Sequence, residues 1–162
     1  MNIQLEKIPA TAIAYVRQTG PYGPANARAM EHLKQWALEN ELLAGSAVLF
    51  GIPMDNPADT APEDCRYDAC ISLPGASAQE ASAAAGNRAD DSIRYGLLSG
   101  GTYAILTIEH TAEAVARAWD GLIPALQGSG RQLDPMRPVM ERYTGEMIRN
   151  HLCQLCIPVQ QQ

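Results

Sequence analysis

One order of elements occurs twice along this chain, and that doubling restricts the fold more than any single motif does. In the first half, extended segments at Ile3 to Leu5 and Ala12 to Arg17 run into the breaker cluster Thr19-Gly20-Pro21-Tyr22-Gly23-Pro24. A helix from Ala25 to Asn40 follows, then strands at Ala47 to Ile52 and Cys65 to Leu73. In the second half, strands at Ile93 to Leu98 and Thr102 to Glu109 flank Gly100-Gly101. A helix opening at His110-Thr111 then runs to Gln127, before strands at Val139 to Thr144 and Leu155 to Val159. Each helix carries one of the two tryptophans, Trp36 and Trp119. The halves share element order; their residues do not align one by one.

Strands grouped around two helices predict an α+β fold: a duplicated β-α-β-β unit, an antiparallel sheet with both helices on one face, and a ligand cleft where the halves meet. The expected organisation is a single domain over 1–162, with pseudo-repeat halves of about 1–75 and 92–162. Residues 76–91, rich in Ala, Ser and Gly, form the connector, with at most a short helical turn around Ala81 to Ala85. A chain of this size buries roughly 70% of its unfolded surface, so no disulfide or metal is needed to hold the core.

Periodicity assigns faces. Cys65, Tyr67, Ala69, Ile71 and Leu73 alternate onto one side of their strand, and Arg66, Asp68, Cys70 and Ser72 onto the other. Met30, Leu33 and Ala37 share a helical stripe with Trp36 beside it. Val115, Trp119, Leu122, Ile123 and Leu126 make the second stripe, with Thr111 as N-cap.

Glu141 is the most informative residue. In Val139-Met140-Glu141-Arg142-Tyr143, two-residue alternation puts Glu141 between Val139 and Tyr143 on the face that should point inward. A carboxylate there is costly unless paired. Two readings stand side by side: a structural ion pair with an arginine, or a carboxylate at the floor of a ligand pocket. The opposite register would turn Met140 and Arg142 inward, which Arg142 disfavours. Tyr67 and Tyr103 lie on apolar strand faces, and Trp36 and Trp119 on helix stripes, where core packing is the ordinary role. Tyrosine and tryptophan also present faces that attract cations, so a cage of such rings with one carboxylate would trap a lipophilic cation.

Several chemistries find no support. The net charge of −6 and the lack of any Lys/Arg block argue against direct nucleic-acid binding. No apolar run suggests a membrane span or a signal peptide, so a cytoplasmic location is expected. His151, Cys153 and Cys156 read H-x-C-x-x-C, a partial zinc set with no second ligand pair; the simpler reading is two small residues on a terminal strand, with Cys65 and Cys70 also reduced. No catalytic triad or phosphate loop appears, and His110, beside a helix start, reads as a surface residue. Neither a metal nor a cofactor is expected.

The chain resembles the gyrase-inhibitor-like effector-binding domains, which occur alone and behind AraC-type and MerR-type DNA-binding domains. The resemblance is carried, in order, by Thr19-Gly20-Pro21-Tyr22, by Asp55-Asn56-Pro57 with Cys65-Arg66-Tyr67-Asp68-Ala69-Cys70, and by Gly100-Gly101-Thr102-Tyr103-Ala104. Ala118-Trp119, Pro138-Val139-Met140-Glu141-Arg142-Tyr143 and Ile157-Pro158-Val159 complete it. It implies that Glu141 is a pocket carboxylate pairing with cationic ligands, and that Tyr22, Tyr67, Trp119 and Tyr143 lie at or near it. Trp36 and Tyr103 complete the expected ligand-binding set. The expected role is a stand-alone binder of a small apolar or cationic effector, with the first strand beginning at once and no DNA-binding segment before it. Two other roles follow from the same resemblance: a hydrolase opening strained electrophilic rings with Glu141 as its base, and a protein inhibitor of DNA gyrase. A separate regulator is a further partner such a sensor would serve.

Overall fold

The computed structural model describes residues 2–43, 45–73 and 92–160. The connector, with its expected helical turn at Ala81 to Ala85, lies outside the described residues.

Eight strands and three helices are present among the described residues. They are β1 (Gln4–Ile8), β2 (Thr11–Thr19), α1 (Pro24–Glu39), β3 (Val48–Pro53), β4 (Arg66–Ser72), β5 (Ile93–Leu98), β6 (Gly101–Glu109), α2 (Ala112–Gly128), β7 (Met140–Thr144), α3 (Gly145–Arg149) and β8 (Leu152–Pro158). All strands join one antiparallel sheet in the order β1-β6-β8-β7-β3-β4-β2-β5. The two repeats are visible in it: β2-α1-β3-β4 and β6-α2-β7-β8 each fill one half. The strand that precedes each repeat joins the other one, since β1 pairs with β6 and β5 pairs with β2.

α1 and α2 form where the sequence pattern places them; α3 is an addition to it. Pro24 supplies a preset φ at the first position of α1. The Thr111 hydroxyl accepts from the Ala114 amide and caps α2, as expected. The α1 stripe Ala29, Leu33, Trp36 and Ala37 packs on Ala12, Ala14, Val16, Ala69 and Ile71. The α2 stripe Ala118, Leu122 and Leu126 packs on Ala104, Leu106, Leu155 and Ile157. Leu33 and Leu122 are fully buried, and each contributes about 1.5–3 kcal/mol by leaving water.

The sheet's other face is buried as well, which a flat one-sided sheet would not require. It curls, and Ile13, Phe50, Ile52, Cys70, Tyr103, Ile105, Met140 and Cys156 fill the concave side. Arg142 points to that side too, where it pairs with Glu6 across the curl at 2.6 Å and donates to Gln154 at 2.9 Å. Both registers weighed for β7 therefore find buried surroundings: Glu141 and Tyr143 under the helices, Met140 and Arg142 opposite.

Candidate functional site

The repeats meet where β3 pairs with β7, in the register Leu49↔Tyr143 and Gly51↔Glu141. On the helix-covered side this seam lies beside α1, and the short α3 packs against β7 and β8 next to it. A cavity of about 390 Å³ opens there. α1 supplies one wall: Asn26, Ala27, Met30, Glu31 and Lys34 recur at helical spacing beside the core stripe. The sheet supplies Leu49, Tyr67 and Tyr143; His110 and Ile148 close the far side.

Glu141 adjoins this wall. Its Oε2 accepts a very short hydrogen bond from the Tyr143 hydroxyl. No Lys, Arg or His among the described residues forms an ion pair with it. Arg142, its chain neighbour, is committed to Glu6 on the opposite face. Of the two readings of Glu141, the structural pair finds no arginine partner among the described residues. Burial, with the charge of Glu141 next, pushes the phenols of Tyr67 and Tyr143 well above the ordinary tyrosine value. The same pair of causes holds the Cys153 thiol up at about 12.

The remaining expected site residues lie elsewhere, each for a visible reason. The Tyr22 hydroxyl donates to backbone carbonyls, Arg66 at 2.7 Å and Asp55 at 3.0 Å, and accepts from the Asp55 amide. It pins the loop before β4 instead of lining the cavity. Trp36 is buried in the α1 core, edge-on to Tyr95 at 6.4 Å. Trp119 packs against the α2 cluster. Tyr103 is fully buried on the concave side, where Arg137 stacks over its ring at 4.8 Å. The structure thus brings Glu141, Tyr67 and Tyr143 together and leaves Tyr22, Trp36, Trp119 and Tyr103 outside the cavity lining.

It also adds residues that sequence reasoning passed over. His110 is exposed, as expected, but its ring lies 4.9 Å from that of Tyr143 and forms part of the cavity rim. Met30 and Leu49 give the apolar lining. Cys153 and Cys156, three residues apart on β8, fall in clusters on opposite faces of the sheet, so they cannot close on one ion. All four cysteines are free and buried, and no metal-binding group of His, Cys, Asp or Glu occurs among the described residues. No described helix is long and apolar enough to cross a membrane.

Residues 1–160 of this chain match the family model of the GyrI-like small molecule binding domain. The chain belongs to the GyrI-like family. Among its relatives is YosT of Bacillus subtilis, a prophage-derived protein described as a candidate transcriptional regulator; the two are 36% identical over 99% of this chain and all of YosT. The C-terminal domain of EcmrR has the same fold, with a TM-score of 0.72 at 12% identity over 99% of this chain and 98% of that one. So does SAV2435, whose structure holds tetraphenylphosphonium, with a TM-score of 0.59 at 13% identity over 99% of this GyrI-like chain and 94% of SAV2435.

Proposed function

We propose that this GyrI-like domain is a receptor for small, apolar, positively charged molecules, which bind in the seam cavity with Glu141 as counter-charge. The carrying observation is the state of Glu141: a half-buried carboxylate held by one phenol, flanked by a second, and without a cationic partner among the described residues. An uncompensated charge in such a place costs stability, and a bound cation offsets that cost. The aromatic and aliphatic lining of Tyr67, Tyr143, Leu49 and Met30 suits the apolar body of such a ligand, and ring faces add to the attraction. The cavity volume falls within the usual range for small-ligand sites. Tetraphenylphosphonium in SAV2435 is a ligand of this class in a related fold.

Titration calorimetry with tetraphenylphosphonium and with neutral triphenylphosphine oxide tests the reading. Saturable one-to-one binding of the cation, at least tenfold tighter than the neutral compound, is expected. No binding of the cation, or equal binding of both, overturns it.

A further inference from the structure

Gly51 occupies the middle of β3, directly opposite Glu141, and β3 interiors need no glycine for backbone reasons: its φ lies outside the left-handed region. A glycine in a strand interior costs stability and packing, so its presence points to something that must come close. That something is Tyr67. A Cβ built on Gly51 would fall on the Tyr67 hydroxyl and lie 3.2 Å from its Cζ. Tyr67 stands on β4, where its register partner across β3 is Pro53. Its ring therefore leans along the strand and lies down over Gly51. Cβ positions directly opposite one another across a strand pair are about 4.5–5.5 Å apart. The phenol oxygen, in contact with the place a Gly51 Cβ would take, is thereby held on the side of β3 that faces Glu141, near enough for the carboxylate's charge to act on it.

From this geometry we infer that Gly51 is the residue that sets the depth of the seam cavity, by leaving room for Tyr67 to lie flat against the sheet next to Glu141. Any side chain at position 51 drives the Tyr67 ring up into the cavity it lines. The space lost is the space nearest the carboxylate, so large cations are excluded before small ones. This rests on the cavity being the ligand site; the position of Tyr67 itself does not.

The variants are Gly51→Ala, Tyr67→Phe and the two together, each checked for folding by circular dichroism. The probes are tetraphenylphosphonium as the large cation and benzyltrimethylammonium as the small one. Gly51→Ala is expected to lose at least tenfold affinity for the large cation and less than threefold for the small one. Adding Tyr67→Phe, which deletes the colliding oxygen, should bring the large cation back to within threefold of Tyr67→Phe alone. Equal affinities of Gly51→Ala and wild type for both probes overturn the inference. So does a double variant no better than Gly51→Ala. If Gly51→Ala does not fold, the double variant decides: folded, it supports the clash with Tyr67; unfolded, it refutes it. A readout without ligand separates this inference from the receptor reading. Tyrosine-labelled NMR should show Tyr67 ionising at lower pH in Gly51→Ala, because the ring has left its buried place and moved away from the carboxylate. An unchanged Tyr67 titration refutes the positioning role even where neither probe binds wild type, a result that sinks the receptor reading instead.

Discussion

Replacing Glu141 by Gln removes one charge and leaves the shape of the site intact. The amide oxygen of Gln can still accept from the Tyr143 hydroxyl, so the wall of the cavity is kept. A cation centre about 5 Å from a carboxylate gains roughly 3 kcal/mol at an effective dielectric constant near 20, and about half that where solvent reaches the pair. Glu141 is half-buried and the cavity opens to solvent, so about 2–3 kcal/mol is the appropriate range. This corresponds to roughly a 30- to 150-fold weaker affinity for tetraphenylphosphonium. Neutral triphenylphosphine oxide should bind both proteins within about threefold, because no Coulomb energy is at stake. The folded protein loses no ion pair in the exchange, so the thermal midpoint should stay level or rise. Calorimetric titration of both compounds, with a melt of both proteins, measures all three quantities. Equal losses for the cation and the neutral compound would refute the electrostatic argument. A Gln variant melting several degrees lower would show that the carboxylate serves the fold.

Three other outcomes follow from the same coordinates. Glu141→Gln should let Tyr67 and Tyr143 ionise at lower pH than in wild type, since the carboxylate's charge opposes both phenolates; ultraviolet or NMR titration reads this, and unchanged phenols would place the carboxylate away from them. In acid, the carboxyls of Glu6, Asp55 and Asp134 are held below their ordinary values of 4.5, 3.8 and 3.8 by hydrogen bonds from Arg142, Arg66 and Arg137. Their folded forms favour the anion, so the stability they contribute is complete above those values and drains as pH falls through the lowered ones. Calorimetric melts from pH 7 to 3 should therefore drop steeply below about pH 4.5, and less steeply in Glu6→Gln. Finally, Asp68 is 6% exposed and takes two hydrogen bonds from Arg17, each 2.8 Å. Asp68→Ala strands that guanidinium; because Arg17 keeps 23% exposure, the cost should be about 1–3 kcal/mol in urea unfolding, at or under the low end of what a fully buried pair loses. A loss under about 0.5 kcal/mol would mean the pair is merely a surface contact.

Local pattern carried much of this structure. Alternation in β4 and β7 was enough to put Tyr67 with Ala69 and Ile71, and Glu141 with Tyr143, because a side-chain period of two leaves few choices. The helical stripe and the Thr111 cap located α2 to within a residue at each end. What failed to show was which buried face belongs to the cavity. In β6, Tyr103, Ala104, Ile105 and Leu106 are all buried, because the curl covers both sides; alternation cannot then separate Tyr103 from a cavity tyrosine. Tyr22 was illegible for another reason: its partners Asp55 and Arg66 lie 33 and 44 residues away. His110 meets Tyr143 only because β8 pairs with both β6 and β7 and holds them one strand apart. α3 is a single short turn, signalled only by Thr144 capping the Met147 amide. Gly51 passed unremarked within the strand Ala47 to Ile52, because its meaning lies in a ring from the neighbouring strand.

The claim beneath all of this is positional: the charge of a bound cation comes to rest beside Glu141, between Tyr67 and Tyr143. Tetraphenylarsonium has the shape and charge of the phosphonium compound and carries an anomalous scatterer at its centre. A crystal of the complex, measured near the arsenic edge, locates that centre directly. One strong peak over the β3–β7 seam within about 6 Å of the Glu141 carboxylate is the expected result, a distance at which ring and charge attraction both act. A peak on the concave side near Phe50 and Arg142, or on the outer surface with the seam cavity empty, would contradict it.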